Sequence, residues 1–522
     1  MSARQPLLAL LLLASFLGGC ANFDLQVQPS QVLPATDSAF GRSVKAQAAP
    51  YQGQSGFRLL SDGTEAFTAR AELIRHAQSS IDLQYYIVHD GISTRMLVDE
   101  MLKAADRGVR FRILLDDTTS DGQDRTIATL AAHPKIQIRV FNPLHLGRST
   151  GVTRTLGRFL NLSRQHRRMH NKLWLADNSM AIVGGRNLGD EYFDAETNMN
   201  FTDIDLLGVG PVAEQLGQSF DQYWNSALSK PIEEFLSEKP TAKDLEETRS
   251  RLEKSLAESR QQNHALYQHL MTYTTHPRLD AWRQELIWAW NQALWDAPSK
   301  VLADGEPDPH LLLTTQLAPE LDGVRKELIM VSAYFVPGQP GLVYLTGRAD
   351  AGVSVKLLTN SLEATDVPAV HGGYAPYRKA LLEHGVQLFE LRRQPGDESG
   401  SGPRLFSTKS YGESDSSLHS KAIIFDQQKS FIGSFNFDPR SVLWNTEVGV
   451  LVDSPELAAK VRELAMQGMA PALSYQVKLE NEQVVWTTED NGNTHTLTRE
   501  PADWWRRFNA WLSNTVGLEK ML

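Results

Sequence analysis

The sequence predicts an α/β protein built from two repeated halves, each a mixed β-sheet flanked by helices. Three observations carry this expectation. At 522 residues the chain is too long for one ordinary core and suggests two domains. Short apolar, strand-like runs alternate with helix-period runs, and the same order of elements occurs twice. A five-residue frame also recurs at identical offsets: His170, Lys172, Asp177, Gly184 and Asn187, then His419, Lys421, Asp426, Gly433 and Asn436. From a given start such a match is expected by chance on the order of once in ten million.

The extreme N-terminus stands apart from the soluble composition, which is 41% hydrophobic and 22% charged with a net charge of -10. Arg4 precedes the apolar run Leu7 to Leu13, and Phe16-Leu17-Gly18-Gly19-Cys20 follows. A charged start, a short apolar run and small residues describe a signal peptide over residues 1–19. A membrane span would need ~20 apolar residues. Leu17-Gly18-Gly19-Cys20 resembles the lipobox of bacterial lipoproteins, which implies that Cys20 is acylated and becomes the mature N-terminus. The alternative is an ordinary signal peptide that happens to contain a cysteine. Cys20 is the single cysteine, so no thiol remains for a disulfide, a metal or a nucleophile. The resemblance implies a membrane-anchored lipoprotein on the periplasmic side, and Ala21 after the cysteine, where Asp is absent, implies by the same resemblance the outer over the inner membrane.

Residues 20–50 are rich in Gln, Ser, Ala and Pro and are expected to be a flexible tether. The first repeated domain, 51–230, follows with a helix at Ala66 to His76, a strand at Ile81 to Val88, a helix at Met96 to Arg107, and strands at Val109 to Leu115 and Ile136 to Phe141. Residues 231–284 form a charged, helical connector, with helix-prone sequence running to about Trp288. Leu245, Leu252 and Leu256 suit a helix packed on the body. In the second domain, 285–475, strand Leu328 to Tyr334, helix Leu342 to Ala351, strand Val353 to Leu358, helix Tyr377 to His384 and strand Val386 to Leu391 repeat the earlier order. From strand start to motif His the two halves measure 88 residues (Asp82 to His170) and 92 residues (Glu327 to His419), as internal duplication requires.

Residues 476–522 are read as a C-terminal hairpin and helix. Asn491-Gly492 between Val484-Val485-Trp486 and Thr494 to Thr498 is a type I′ hairpin signal. Pro501 then opens a helix carrying Trp504, Trp505, Phe508, Trp511 and Leu512. Beside Arg506 and Arg507 those aromatics suit a lipid interface, but the spacing is that of ordinary amphipathic burial, and core packing is the expectation.

The repeated frame points to phosphate-ester chemistry. His and Lys two residues apart in an extended run project to one side, a nitrogen nucleophile or acid beside a fixed positive charge. One group can attack phosphorus while the ammonium stabilises charge on the non-bridging oxygens. Asn187 and Asn436 can add neutral donors. No metal is expected, because each frame holds a Lys where a metal would take another ligand. Downstream, Phe201-Thr202-Asp203-Ile204 matches Asn445-Thr446-Glu447-Val448. A carboxylate on the strand neighbouring a catalytic His can fix its tautomer through Nδ1, so Asp203 and Glu447 are candidate His-orienting groups.

These frames match the signature of the phospholipase D superfamily, the second fully and the first with Gly185 where Ser434 stands in the second. Tyr334-Phe335-Val336-Pro337, Ser361 to Val367 and the hairpin before Glu500-Pro501 resemble bacterial cardiolipin synthases, in particular the C-type branch. The resemblance implies a single active site at the pseudo-twofold interface of the two halves. It implies that His170 attacks the phosphodiester to give a phosphohistidine and that His419 is the acid and base. Lys172, Lys421, Asn187, Asn436 and Ser434 would bind phosphate, while Asp177 and Asp426 complete the motifs and support the strand turns.

Arg154, Arg158, Arg164, Arg167 and Arg168 before the first motif form a candidate landing patch for anionic headgroups, unless they are a solvated basic loop. The expected partners are anionic and zwitterionic phospholipids and the membrane surface reached through Cys20. The acidic net charge argues against nucleic acid as a partner. An accessory protein stays open. The expected activity is phosphatidyltransfer to make cardiolipin from phosphatidylglycerol, with phosphatidylethanolamine as a conceivable donor. The alternatives are a phospholipase D hydrolase releasing phosphatidic acid, a periplasmic phosphodiesterase or nuclease, and a noncatalytic lipid-binding scaffold.

Overall fold

The computed structural model describes residues 29–118, 124–143, 166–196, 199–393, 415–490 and 492–516. The signal peptide, Cys20, Arg154, Arg158, Arg164 and Asn491 lie outside the described residues. In the first half the strands are β1 (Ser55–Leu60), β2 (Ser80–Tyr85), β3 (Arg110–Asp116), β4 (Ile136–Phe141), β5 (Leu173–Ala176), β6 (Met180–Gly184), β7 (Met199–Thr202), β8 (Asp205–Val209) and β9 (Ser229–Pro231). Next come β10 (Ile287–Trp295), β11 (Glu327–Ser332), β12 (Ser354–Asn360), β13 (Gln387–Leu391), β14 (Asp415–Leu418), β15 (Lys421–Phe425), β16 (Lys429–Gly433) and β17 (Val448–Asp453). The last three are β18 (Ser474–Glu480), β19 (Gln483–Asp490) and β20 (Asn493–Leu497).

Each half has a parallel trio, β2-β3-β4 and β11-β12-β13, joined by crossover helices such as Ile92–Asp106 and Gly338–Asp350. The antiparallel strands β5, β6 and β8 extend the first trio, and β15, β16 and β17 extend the second. The two half-sheets are therefore the same object twice. They are continuous through β10, whose Ile287–Ala289 pair with β1 while Trp290–Trp295 pair with β17. Sequence reading had carried helix-prone sequence to about Trp288. Alternating Ile287, Ala289 and the aromatics Trp288, Trp290 and Trp295 instead favour a pleated, half-buried strand.

Packing explains why the halves close on each other. Leu175, Val183 and Leu206 from the first sheet share one buried cluster with Ala422, Ile424, Ile432 and Val448 from the second. Separate clusters lie under the helices of the first half and of the second. Burial of this apolar seam, worth roughly 25 cal/mol per Å² of surface removed from water, fixes one relative placement of the two motif loops.

Two further expectations fail. The stretch assigned to a flexible tether contains a helix, Ala39–Ala48, capped by Ser38 Oγ accepting from Gly41 N at 2.8 Å. Phe40 and Val44, four apart on one face, are buried there, so this segment is part of the body. The C-terminal helix, Trp504–Val516, does not bury its aromatics either. Its small residues Ala510 and Ser513 face the protein, and the large rings face outward. The helical connector packs on the body through its longest helix, Ala242–Gln262, with Leu245 and Leu256 buried. Among the described residues no helix is long and apolar enough to cross a membrane.

Candidate active site

The two histidines are held by the opposite halves. His170 Nδ1 lies 3.1 and 3.0 Å from the carboxylate oxygens of Glu447, and His419 Nδ1 lies 2.7 Å from Asp203 Oδ2. The sequence marks both carboxylates as His-orienting candidates without assigning either to a particular histidine. The backbone explains the exchange. β14, which leads into His419, pairs in parallel with β7, which leads into Asp203. At the matching place Met169 bridges to Thr446, and His170 N donates to Thr446 O at 2.9 Å, just as His419 N donates to Thr202 O at 2.8 Å. Each motif loop is thus stitched to the carboxylate-bearing run of the other half, and neither half can assemble a His–carboxylate pair alone.

Lys172 and Lys421 are buried in the same space, each donating to the carbonyl of its own motif histidine. Burial holds both ammonium groups below the usual lysine range. The Glu447 and Asp203 carboxylates oppose that shift, and the Lys421 charge adds to it at Lys172. Burial, then Lys172 and Lys421, keep the His170 imidazole well below its ordinary value. At His419 burial and Lys421 outweigh Asp203 and hold the ring at about 4. Two neutral imidazoles beside two lysines make a pocket electrostatically incomplete without an anion. A bound phosphodiester would relieve the lysines and raise the proton affinity of both histidines.

The carboxylates differ. Burial raises Glu447 to about 7 despite Lys172 and hydrogen bonds from Ser434 and Ser441. Burial pushes Asp203 the same way, but its hydrogen bond to His419 and the charges of Lys421 and Arg186 bring it below the ordinary carboxylate value. Glu447 receives two hydroxyls, whereas Asp203 takes the Ile204 amide at 2.8 Å. Gly185 accounts for the shorter acid: a Cβ at that position would overlap the Asp203 carboxylate.

Asn187 receives the Ile87 amide at 3.3 Å and donates to Tyr192 OH at 2.9 Å. Asn436 is buried, and its side-chain oxygen meets no partner among the described residues. Asp177 and Asp426 are not beside the histidines. Both take left-handed backbone at the far end of the motif strand, roughly 20 Å along an extended chain. There Asp177 accepts the amides of Gln78, Ser79 and Ser80, and Asp426 those of Arg325, Lys326 and Glu327. These bonds pin the start of β2 and of β11.

Two positioning residues escaped sequence reading. Asp116, ending β3, accepts the Met169 amide at 2.9 Å; Asn360, ending β12, accepts the Leu418 amide at 2.9 Å. Each grips the residue before a motif histidine. A polar residue closing the second strand of both copies, six residues from its start, was the available signal. Tyr86 and Lys172, with ring and ammonium 5.3 Å apart, and Tyr334, bonded to Asp366 at 2.7 Å, add an aromatic wall. Of the five arginines before the first motif, the two among the described residues are engaged by the protein: Arg168 is buried near Asp116, and Arg167 stacks on Trp444 and bonds the Val301 and Ala303 carbonyls.

A doubled α/β half with paired His-Lys loops meeting across one seam defines a phospholipase D superfamily protein. Comparison gives the narrower assignment. The family described as cardiolipin synthase, PLD-like domain, matches residues 71–224 and 317–467, one copy in each half, and the chain belongs to that family. Cardiolipin synthase C of Escherichia coli is 36% identical over 477 residues, 90% of this chain and 97% of its own. An uncharacterised Helicobacter pylori protein is 33% identical over 436 residues, 83% of each chain. The crystal structure of a Haemophilus influenzae phosphatidylserine synthase superposes on 92% of this chain and all of its own with a TM-score of 0.55, at 13% identity, a likeness of fold alone. The chain is accordingly an enzyme of the phospholipase D superfamily.

Proposed function

We propose that this enzyme makes cardiolipin from phosphatidylglycerol through a phosphohistidine, with phosphatidylethanolamine as a second conceivable donor. The observation that carries the reading is the exchange of carboxylates, which brings both His-Lys pairs to one site. His170 Nε2 attacks phosphorus, and the headgroup oxygen leaves with a proton from His419. His419 then takes the proton of the incoming glycerol hydroxyl, whose oxygen attacks phosphorus and releases His170. An acid and base must stabilise its own imidazolium. Asp203, held below the ordinary carboxylate value, suits that task better than Glu447 at about 7, which favours His419 for it. Lys172, Lys421, Asn187 and Asn436 receive the phosphoryl oxygens. Ser434 bonds Glu447 and acts on phosphate only through it.

We further propose anchoring through acylated Cys20 on the periplasmic side, at the outer membrane. Incubating the protein with phosphatidylglycerol vesicles and weighing the products tests the chemistry: cardiolipin is expected. Phosphatidic acid alone would instead establish hydrolysis. Labelled fatty acid should enter the wild-type chain and not Cys20→Ser, and the labelled protein should fractionate with the outer membrane.

A further inference from the structure

We propose that the aromatic face of the C-terminal helix, Trp504–Val516, lies in the interface of the bilayer and holds the active-site mouth against it. This rests on the reading that the substrate is a bilayer phospholipid.

The helix has two stripes of opposite character. Trp504, Trp505, Phe508, Trp511 and Leu512 are exposed at 68%, 54%, 40%, 58% and 41%. Their rings touch in sequence: Trp504 on Trp505 at 5.4 Å, Trp505 on Phe508 at 5.7 Å, and Phe508 on Trp511 at 5.9 Å. The other stripe is small and clamped. Ala510 sits on Gly372, where a Cβ would overlap the Ala510 carbonyl, and Ser513 Oγ donates to Ala369 O at 3.1 Å. Arg506 donates to the carbonyls of Leu362 and Thr365 at 3.2 and 2.7 Å. Ahead of the helix, Glu500 is fixed by His371 and Arg378, whose charges hold its carboxyl below the ordinary value against the effect of burial. The aromatics are therefore turned outward by a built seat. Rotating them inward would break the small-residue contact and the carbonyl bonds together.

Three features identify the occupant as a bilayer. A contiguous exposed patch of this kind marks an interaction surface, and tryptophan is the residue whose apolar ring and N–H donor both find partners at headgroup depth. Thirteen residues rise roughly 20 Å, too short to span and suited to lying flat. The seat, residues 362–374, also forms the rim of the site: Asp366 within it bonds Tyr334, and its charge acts on Lys421 and Tyr192. A face docked at this helix brings headgroups to the lysines.

The test uses the full chain carrying Cys20→Ser, so that no acyl group contributes, with vesicles of mixed phosphatidylglycerol and phosphatidylcholine. Flotation and quenching by brominated acyl chains read binding. Trp505→Ser with Trp511→Ser should weaken vesicle binding about tenfold or more and lower turnover of vesicular substrate in parallel. Turnover of a monomeric short-chain phosphatidylglycerol should be unchanged. Trp290→Ser, which removes an indole 58% exposed on β10, should leave binding within about twofold. Unchanged flotation of the double variant overturns the proposal, as does a loss of self-association with no loss of vesicle binding, which would make a second copy the occupant. Binding through the stripe without formation of cardiolipin or phosphatidic acid leaves the docking intact and refutes the proposed function instead.

Discussion

The two half-sites are built on one plan and differ at one coupled position. In the second frame Ser434 and Ser441 donate to the long acid Glu447, which reaches across to His170. In the first frame a glycine, Gly185, leaves room for the short acid Asp203, which reaches His419 at 2.7 Å. Hydroxyl plus glutamate and glycine plus aspartate fill the same space differently. The first arrangement leaves an acid at about 7 beside one histidine, and the second leaves an ionised acid beside the other. A duplicated fold thereby acquires unequal histidines without changing either motif's His, Lys or Asn.

The largest expected effect comes from removing a histidine. His170→Ala and His419→Ala should each lower turnover on phosphatidylglycerol about 10⁴-fold, as loss of a nucleophile or its partner does. A substrate with a nitrophenyl leaving group separates them, since it needs no acid. His419→Ala should then release one equivalent of nitrophenol per enzyme and stall as the phosphohistidine, while His170→Ala should release none. A burst from His170→Ala and none from His419→Ala would exchange the assigned roles.

Much of this arrangement was legible in the sequence. The repeat, the parallel trios and the motif loops follow from periodicity and spacing, which are local properties. The exchange of carboxylates was not, because Asp203 and Glu447 reach their histidines over 216 and 277 residues, and pairing across a seam leaves no local pattern. The exposed aromatic stripe was misread for a related reason. A helical period reveals two faces, but which one meets the protein depended on Gly372 and the carbonyls near Leu362, far away in sequence. The composition of Ala39–Ala48 is that of a linker and hides the helix, although Phe40 and Val44 mark one buried face.

An intermediate effect tests the coupled position itself. Gly185→Ser should cost about 1–3 kcal/mol in stability and roughly tenfold or more in turnover, because its Cβ displaces Asp203. Asp203→Glu alone should also be poor, since the longer acid overreaches His419. Together they rebuild the Ser434–Glu447 arrangement in the first half, and the double variant should recover much of the loss. Strict additivity in this cycle would mean that the two positions are independent.

The smallest effect concerns the strand starts that the motif aspartates pin. Ser80 is the third amide held by Asp177, and Glu327 is the third held by Asp426. Only the second half therefore places a carboxylate there, and Glu327 pairs with Lys356 at 2.7 Å and Arg462 at 2.8 Å. Burial alone would raise Glu327, but those partners hold it at about 2. A depressed carboxyl contributes stability that is fully present above its unfolded value near 4.5 and is lost as pH falls through about 2. Because this network is partly solvent-screened, Glu327→Gln should cost only about 1 kcal/mol at neutral pH, or roughly 2–4 °C in Tm. The difference between the two proteins should shrink between about pH 4.5 and 2, whereas a gap constant across that range would show that the side chain acts by packing and not by charge.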